Sequence, residues 1–129
     1  MNPDDPQAWF SKAERDFVLI QDMLPNAVSY PDLLCYHCQQ AAEKYLKALL
    51  LHHGQSVKKT HDLEELVDLL APLEVSIMVD HYNNALKIND YAIISRYPSM
   101  IGDPTEADIL EAVASAEFFR RFAVVVLGI

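Results

Sequence analysis

Glycine is scarce in this sequence. Three glycines among 129 residues leave little material for loops that cradle phosphates, and neither a P-loop nor a Gly-rich dinucleotide turn is present. The H-E-x-x-H and G-x-S-x-G signatures are missing as well. Cysteine is limited to Cys35 and Cys38. Structural zinc needs four ligands, usually two such pairs, and there is no second pair. His37 and His52 fall about four turns apart on one predicted helix, too far to complete a common site. Redox C-x-x-C pairs sit at a helix N-terminus after a strand, and no strand precedes this one. The expectation is two reduced thiols acting as small packing residues, with no bound metal and no cofactor.

Long apolar runs are also lacking. The longest, Phe122 to Leu127, falls far short of the ~20 residues that span a bilayer as a helix. The stretch "MNPDDPQAW" has neither the basic nor the apolar region of a signal peptide. These absences predict a soluble cytoplasmic protein with no membrane attachment, in which a disulfide is disfavoured. Positive charge is in short supply too. Ten Lys and Arg face nineteen Asp and Glu, a net charge of −9, which argues against a general nucleic-acid binder.

Ala, Leu, Glu and Lys at helical spacing dominate what remains. Half the residues are apolar, so one domain over residues 1–129 with a modest core is expected. The punctuation divides it into five helices. Asp5-Pro6 caps the first, whose apolar series is Phe10, Ala13, Phe17, Ile20 and Leu24, and Pro25 stops it. The second starts near Tyr30-Pro31 and runs to about His53, with Gly54 as its C-terminal stop. The third starts at Thr60-His61-Asp62, with Asp62 and Glu65 spaced as a capping box, and ends at Pro72. The fourth is predicted over roughly Glu74 to Tyr91 on Val75, Met78, Tyr82 and Leu86. The fifth is capped by Thr105 with Asp108 and runs to about Leu127. It carries two apolar stripes, one through Ile109, Val113, Ala116, Phe119, Ala123 and Val126, the other through Leu110, Ala114, Phe118, Phe122 and Val125. A single seam cannot bury both, so a homodimer is expected.

Charge is unevenly spread. Residues 33–61 hold Lys44, Lys47, Lys58 and Lys59 against Glu43, a balance of +3 that leaves −12 for the rest. Four of the five histidines, His37, His52, His53 and His61, lie in that stretch. On the second helix Leu34, Cys38, Ala41, Ala42, Tyr45, Leu46 and Leu49 form a wide apolar band. Beside it runs a polar stripe of His37, Gln40, Lys44 and Lys47, three or four residues apart and so on one face. Glu43 and Lys47 are spaced as an i,i+4 ion pair. Both Lys44 and Lys47 are expected to be exposed. The pattern suits an anionic ligand or an acidic partner; the plainer alternative is a solvated helix face with a packed histidine.

Taken in order, "HCQQAAEKYLKALLLHHG", "VKKTHDLEELVDLL" and "YAIISRYPS" resemble the HEPN domain, a small helical domain widespread in prokaryotes. The resemblance runs from "AWFSKAERDF" at residues 8–17 to the final helix. It implies an all-α, up-and-down helical bundle that dimerises. It also implies frequent pairing with a small nucleotidyltransferase protein, often as toxin and antitoxin. Family roles include nucleotide binding and, in many members, metal-independent RNA cleavage. Cleavage depends on an Arg followed by four to six residues and a His. Arg96 is followed by "YPSMIGD", without a His at 101, 102 or 103, and Arg15, Arg120 and Arg121 lack one at that spacing. The nuclease would need His as acid/base beside an Arg that stabilises phosphate charge.

Two functions follow. The first is a non-catalytic binding module for a nucleotide, RNA or other polyanion, or for a nucleotidyltransferase partner. Its candidate ligand-binding residues are His37, Gln40, Lys44, Lys47, Thr60, His61, Arg96 and Tyr97, with the Thr60 hydroxyl and open amides at the start of the third helix able to hold an anion. The second is a ribonuclease using Arg96 with His37 or His61. The missing spacing favours the first, and no catalytic residue is assigned. Pro98 should hold Tyr97 extended, ending the fourth helix before a loop that turns Arg96 toward the polar stripe.

Overall fold

The computed structural model describes residues 3–94 and 102–129, with Ile94 described by its backbone alone. Among them there is no strand, and five helices of eight residues or more form a bundle. Helix α1 spans Pro6–Met23, α2 Pro31–His52, α3 Leu63–Leu70 and α4 Val79–Ile88; α5 is a single turn at Tyr91–Ile94, and α6 spans Glu106–Leu127. Arg96, Tyr97 and the predicted loop conformation around Pro98 lie outside the described residues.

Local chemistry sets the ends of these helices. The Asp5 carboxylate accepts from the Gln7 amide and Pro6 opens α1. Pro25 lacks an N–H to continue the ladder, and the chain tightens there into a 3-10 segment, Leu24–Ser29. Gly54 takes φ +78°, and the amides of Gly54 and Gln55 close on the carbonyls of Leu51 and Leu50, a Schellman ending that a Cβ would strain. Thr105 and Asp108 exchange side-chain-to-amide bonds at the start of α6, the predicted capping box.

Helix α2 is the centre of the bundle, packing against each of the other helices. Its predicted apolar band, Leu34, Cys38, Ala41, Ala42, Tyr45, Leu46 and Leu49, is fully buried, as is Cys35. Phe10, Ala13, Phe17 and Ile20 of α1 close on one side; Ile109, Ala116, Phe119 and Ala123 of α6 close on another. Burial pushes the Cys35 thiol up to about 12 and the Cys38 thiol higher still, which makes both poor thiolate ligands. Among the described residues no three His, Cys, Asp or Glu side chains are grouped to hold a metal, and no helix is long and apolar enough to cross a membrane.

Helix α4 departs from expectation. It begins at Val79 rather than Glu74 and stops at Ile88. Leu73, Val75 and Ile77 instead lie half-buried at alternate positions along a bend in which the Val75 amide closes on the Leu73 carbonyl at 2.7 Å. The helix starts where the His81 ring can accept from the Met78 amide, at 3.0 Å. That shift rotates its buried face to His81, Ala85 and Ile88, leaving Met78 and Leu86, predicted as core, 66% and 58% exposed. On α6 the stripe through Ile109, Ala116, Phe119 and Ala123 is buried, whereas Leu110, Ala114 and Val125 of the second stripe face outward.

Candidate functional site

The polar stripe of α2 is only partly solvated, because acids packed on it neutralise it. Asp16 is reached from two positions. Its carboxylate lies 3.0 Å from His37 Nδ1 and accepts from the Lys44 ammonium. Burial alone would raise the Asp16 pKa, but the hydrogen bonds from His37 and Lys44 outweigh it and hold the carboxyl below the usual range. His37 and Lys44 are both about a quarter exposed.

A turn further along α2, Glu43 gathers the second group. Its side chain accepts from Lys47 at 3.1 Å and from Gln39 at 3.4 Å, and lies 2.9 Å from His61 Nδ1. Gln39, fully buried, also donates to the His61 carbonyl at 2.9 Å, and Gln40 donates to Gln39 at 2.8 Å. The segment between α2 and α3 is thus fastened to α2 through both the backbone and the side chain of His61. A third acid, Glu14, ties α1 to α6 and to the core by accepting from Arg120 at 2.8 Å and from the Tyr45 hydroxyl.

These contacts correct several expectations. Lys47 is not exposed; it is 4% accessible, and the predicted Glu43–Lys47 pair is a buried one. Lys44 is half-buried rather than solvated. The Thr60 hydroxyl accepts from the Asp62 amide. The start of α3 is closed to anions, because the Leu63 amide donates to Asn89 and those of Glu64 and Glu65 donate to Asp62. A carboxylate cap already satisfies the helix-terminal donors that an anion would need.

The free positive charge lies elsewhere. Lys58 and Lys59 are exposed and take part in no ion pair among the described residues. With Lys47, His61, Val57, Trp9, Pro3 and Asp4 they line a cleft of about 470 Å³, within the size range of small-ligand sites. The Trp9 indole donates to the Pro3 carbonyl at 2.7 Å, and the Lys47 ammonium sits 5.6 Å from its ring centroid, a cation–π distance. Of the predicted residues, the cleft brings together Lys47 and His61. His37 and Lys44 belong to the Asp16 group, Gln40 bridges through Gln39, Thr60 serves the turn, and Arg96 and Tyr97 fall outside the described residues.

Asp16, Gln39 and Trp9 were not foreseen. For two of them the signal was present. Asp16 falls between Ala13 and Ile20, and Gln39 between Cys35 and Ala42, each a polar residue on an otherwise apolar face. Such a residue requires a buried partner.

A model of the HEPN domain matches residues 6–126. TT1696 from Thermus thermophilus has a similar structure, with a TM-score of 0.77, 27% identity and coverage of 98% of this chain and 99% of that one. ST0689, an archaeal HEPN homologue, superposes with a TM-score of 0.70 at 28% identity, covering 99% and 98%. Comparison with curated proteins returned no match.

Proposed function

The chain belongs to the HEPN family, and we propose that it is a binding module for a nucleotide or other polyanion, held in the cleft beside Trp9, rather than a nuclease. The observation that carries this reading is the pair Lys58 and Lys59, exposed beside His61 and an aromatic ring on a positive segment of an acidic chain. Phosphate oxygens would meet the ammonium groups, and the indole offers a base a flat apolar neighbour. The missing Arg-to-His spacing supports the non-catalytic half of the reading.

Attraction acts at short range here. Screening at physiological salt falls off over about 8 Å, so the surrounding −12 repels a distant anion less than the two lysines attract a close one. Lys58→Glu with Lys59→Glu should therefore abolish binding of a short oligonucleotide without unfolding the chain. Equal binding by wild type and the double variant would move the site. RNA cleaved by the purified protein, with activity lost in Arg96→Ala, would overturn the non-catalytic reading.

We propose in addition that the chain forms a homodimer through the outward stripe of α6. Its support is apolar exposure: Leu110 is 60% and Val125 78% accessible, with Ala114 between them.

A further inference from the structure

Glu43 is 4% exposed and lies 2.9 Å from Nδ1 of a histidine whose side chain is 61% exposed. A carboxylate at one ring nitrogen fixes the tautomer. Nδ1 carries the hydrogen, and Nε2 is left with the lone pair. His61 lines the cleft, and its carbonyl is held by the buried Gln39 amide. Ring and backbone are therefore both positioned, and Nε2 is the ring atom available to a ligand.

We propose that His61 makes this cleft selective for a terminal phosphomonoester over a phosphodiester, by sharing one proton with it. The inference rests on the reading that anions bind in the cleft. A monoester has its second ionisation near pH 6, close to the ordinary range of imidazole. In the complex one proton lies between a phosphate oxygen and Nε2, and a hydrogen bond forms whichever of the two carries it. A phosphodiester brings no such proton and less charge for Lys58 and Lys59. It gains the same contact only after the ring takes a proton from solvent.

The groups around the ring are consistent with that role. Glu43 and Lys47 of α2 form their own buried pair beneath the ring, and Lys58 and Lys59 of the connecting segment line the cleft beside it. Asp62, the next residue, is spent capping α3, and Asp4 lines the cleft from before α1.

Trp9 is the only tryptophan in the chain, so its fluorescence reports on the cleft directly. The probes are adenosine 5′-monophosphate, the diester adenylyl-adenosine and inorganic phosphate, titrated from pH 6 to 8. Wild type should bind the nucleoside monophosphate about tenfold more tightly than the diester at pH 6.5, and about tenfold more weakly again at pH 8. Calorimetry in two buffers of different ionisation enthalpy should find uptake of about one proton at the alkaline end. His61→Gln, compared at a temperature where it is folded because the ring also fastens its segment to Glu43, should lose the proton uptake and bring the two nucleotides within about threefold of each other. Parity of monoester and diester in wild type, absence of proton uptake, or an unchanged pH slope in His61→Gln would overturn the proposal. If binding depends on Lys58 and Lys59 but not on His61, this inference alone falls. If no probe binds wild type, the cleft reading falls with it.

Discussion

Lys47 holds an ammonium at 4% exposure against the Glu43 carboxylate. Lys47→Glu would set two buried carboxylates side by side, and breaking a buried pair costs about 3–5 kcal/mol. Chemical denaturation should show that loss, whereas Lys58→Glu with Lys59→Glu should stay within about 0.5 kcal/mol of wild type per site. Asp16 gives a pH signature. Its folded pKa is lowered by His37 and Lys44 against the opposing effect of burial. The stabilisation is therefore complete above the unfolded carboxyl value, about pH 4, and is lost as pH falls through the lower folded value. Asp16→Asn should lower the thermal midpoint at neutral pH and flatten its decline on acidification. An unchanged acid limb would show that another carboxylate governs it. These charges were visible in the sequence, but their burial was not. The i,i+4 spacing paired Glu43 with Lys47 correctly, yet accessibility depends on what packs over the stripe, and Asp16 and His61 reach it from 28 and 18 residues away.

The elements were most legible where a residue ends its own helix, by a side-chain cap or by a left-handed glycine. Asp5, Gly54 and Thr105 act locally, so their positions in the sequence suffice. The start of α4 was misplaced because Val75 and Met78 happen to fit a helical period, while Leu73, Val75 and Ile77 also fit an alternation that the bend there uses. Asp62 tests the cap of α3. It accepts from two helical amides and from the Asn89 side chain, whose oxygen in turn accepts from Leu63. Asp62→Ala should cost about 1–2 kcal/mol and loosen the α3 start against α4. The expected readout is a lower denaturation midpoint with faster amide exchange at Glu64 and Glu65. Unchanged exchange there would mean that water replaces the carboxylate at no cost.

For the molecule as a whole, the sequence made the helical bundle and the wide apolar band of α2 readable, but not that this helix is the centre on which the other helices of one chain pack. The fate of the second α6 stripe was less readable, because Phe118 and Phe122 pack against His81 within the chain while Leu110, Ala114 and Val125 stay exposed. The dimer proposal expects light scattering to give twice the monomer mass at micromolar concentration, and Leu110→Glu with Val125→Glu to return the monomer. A clean monomer mass for wild type would refute it.

The central position of α2 also bears on how the native state opens. Every other helix rests on it, so no single neighbour can peel away and bare its whole length. Its mid-helix amides, those of Ala42 to Leu46, should exchange with solvent only when the entire fold comes apart, at a rate that tracks global stability. The single turn of α5 should exchange through small local fluctuations instead. Deuterium uptake would then rank the helices by how many partners must leave before each is exposed, with α2 slowest, and a destabilising change anywhere in the bundle would speed α2 as much as a change within it.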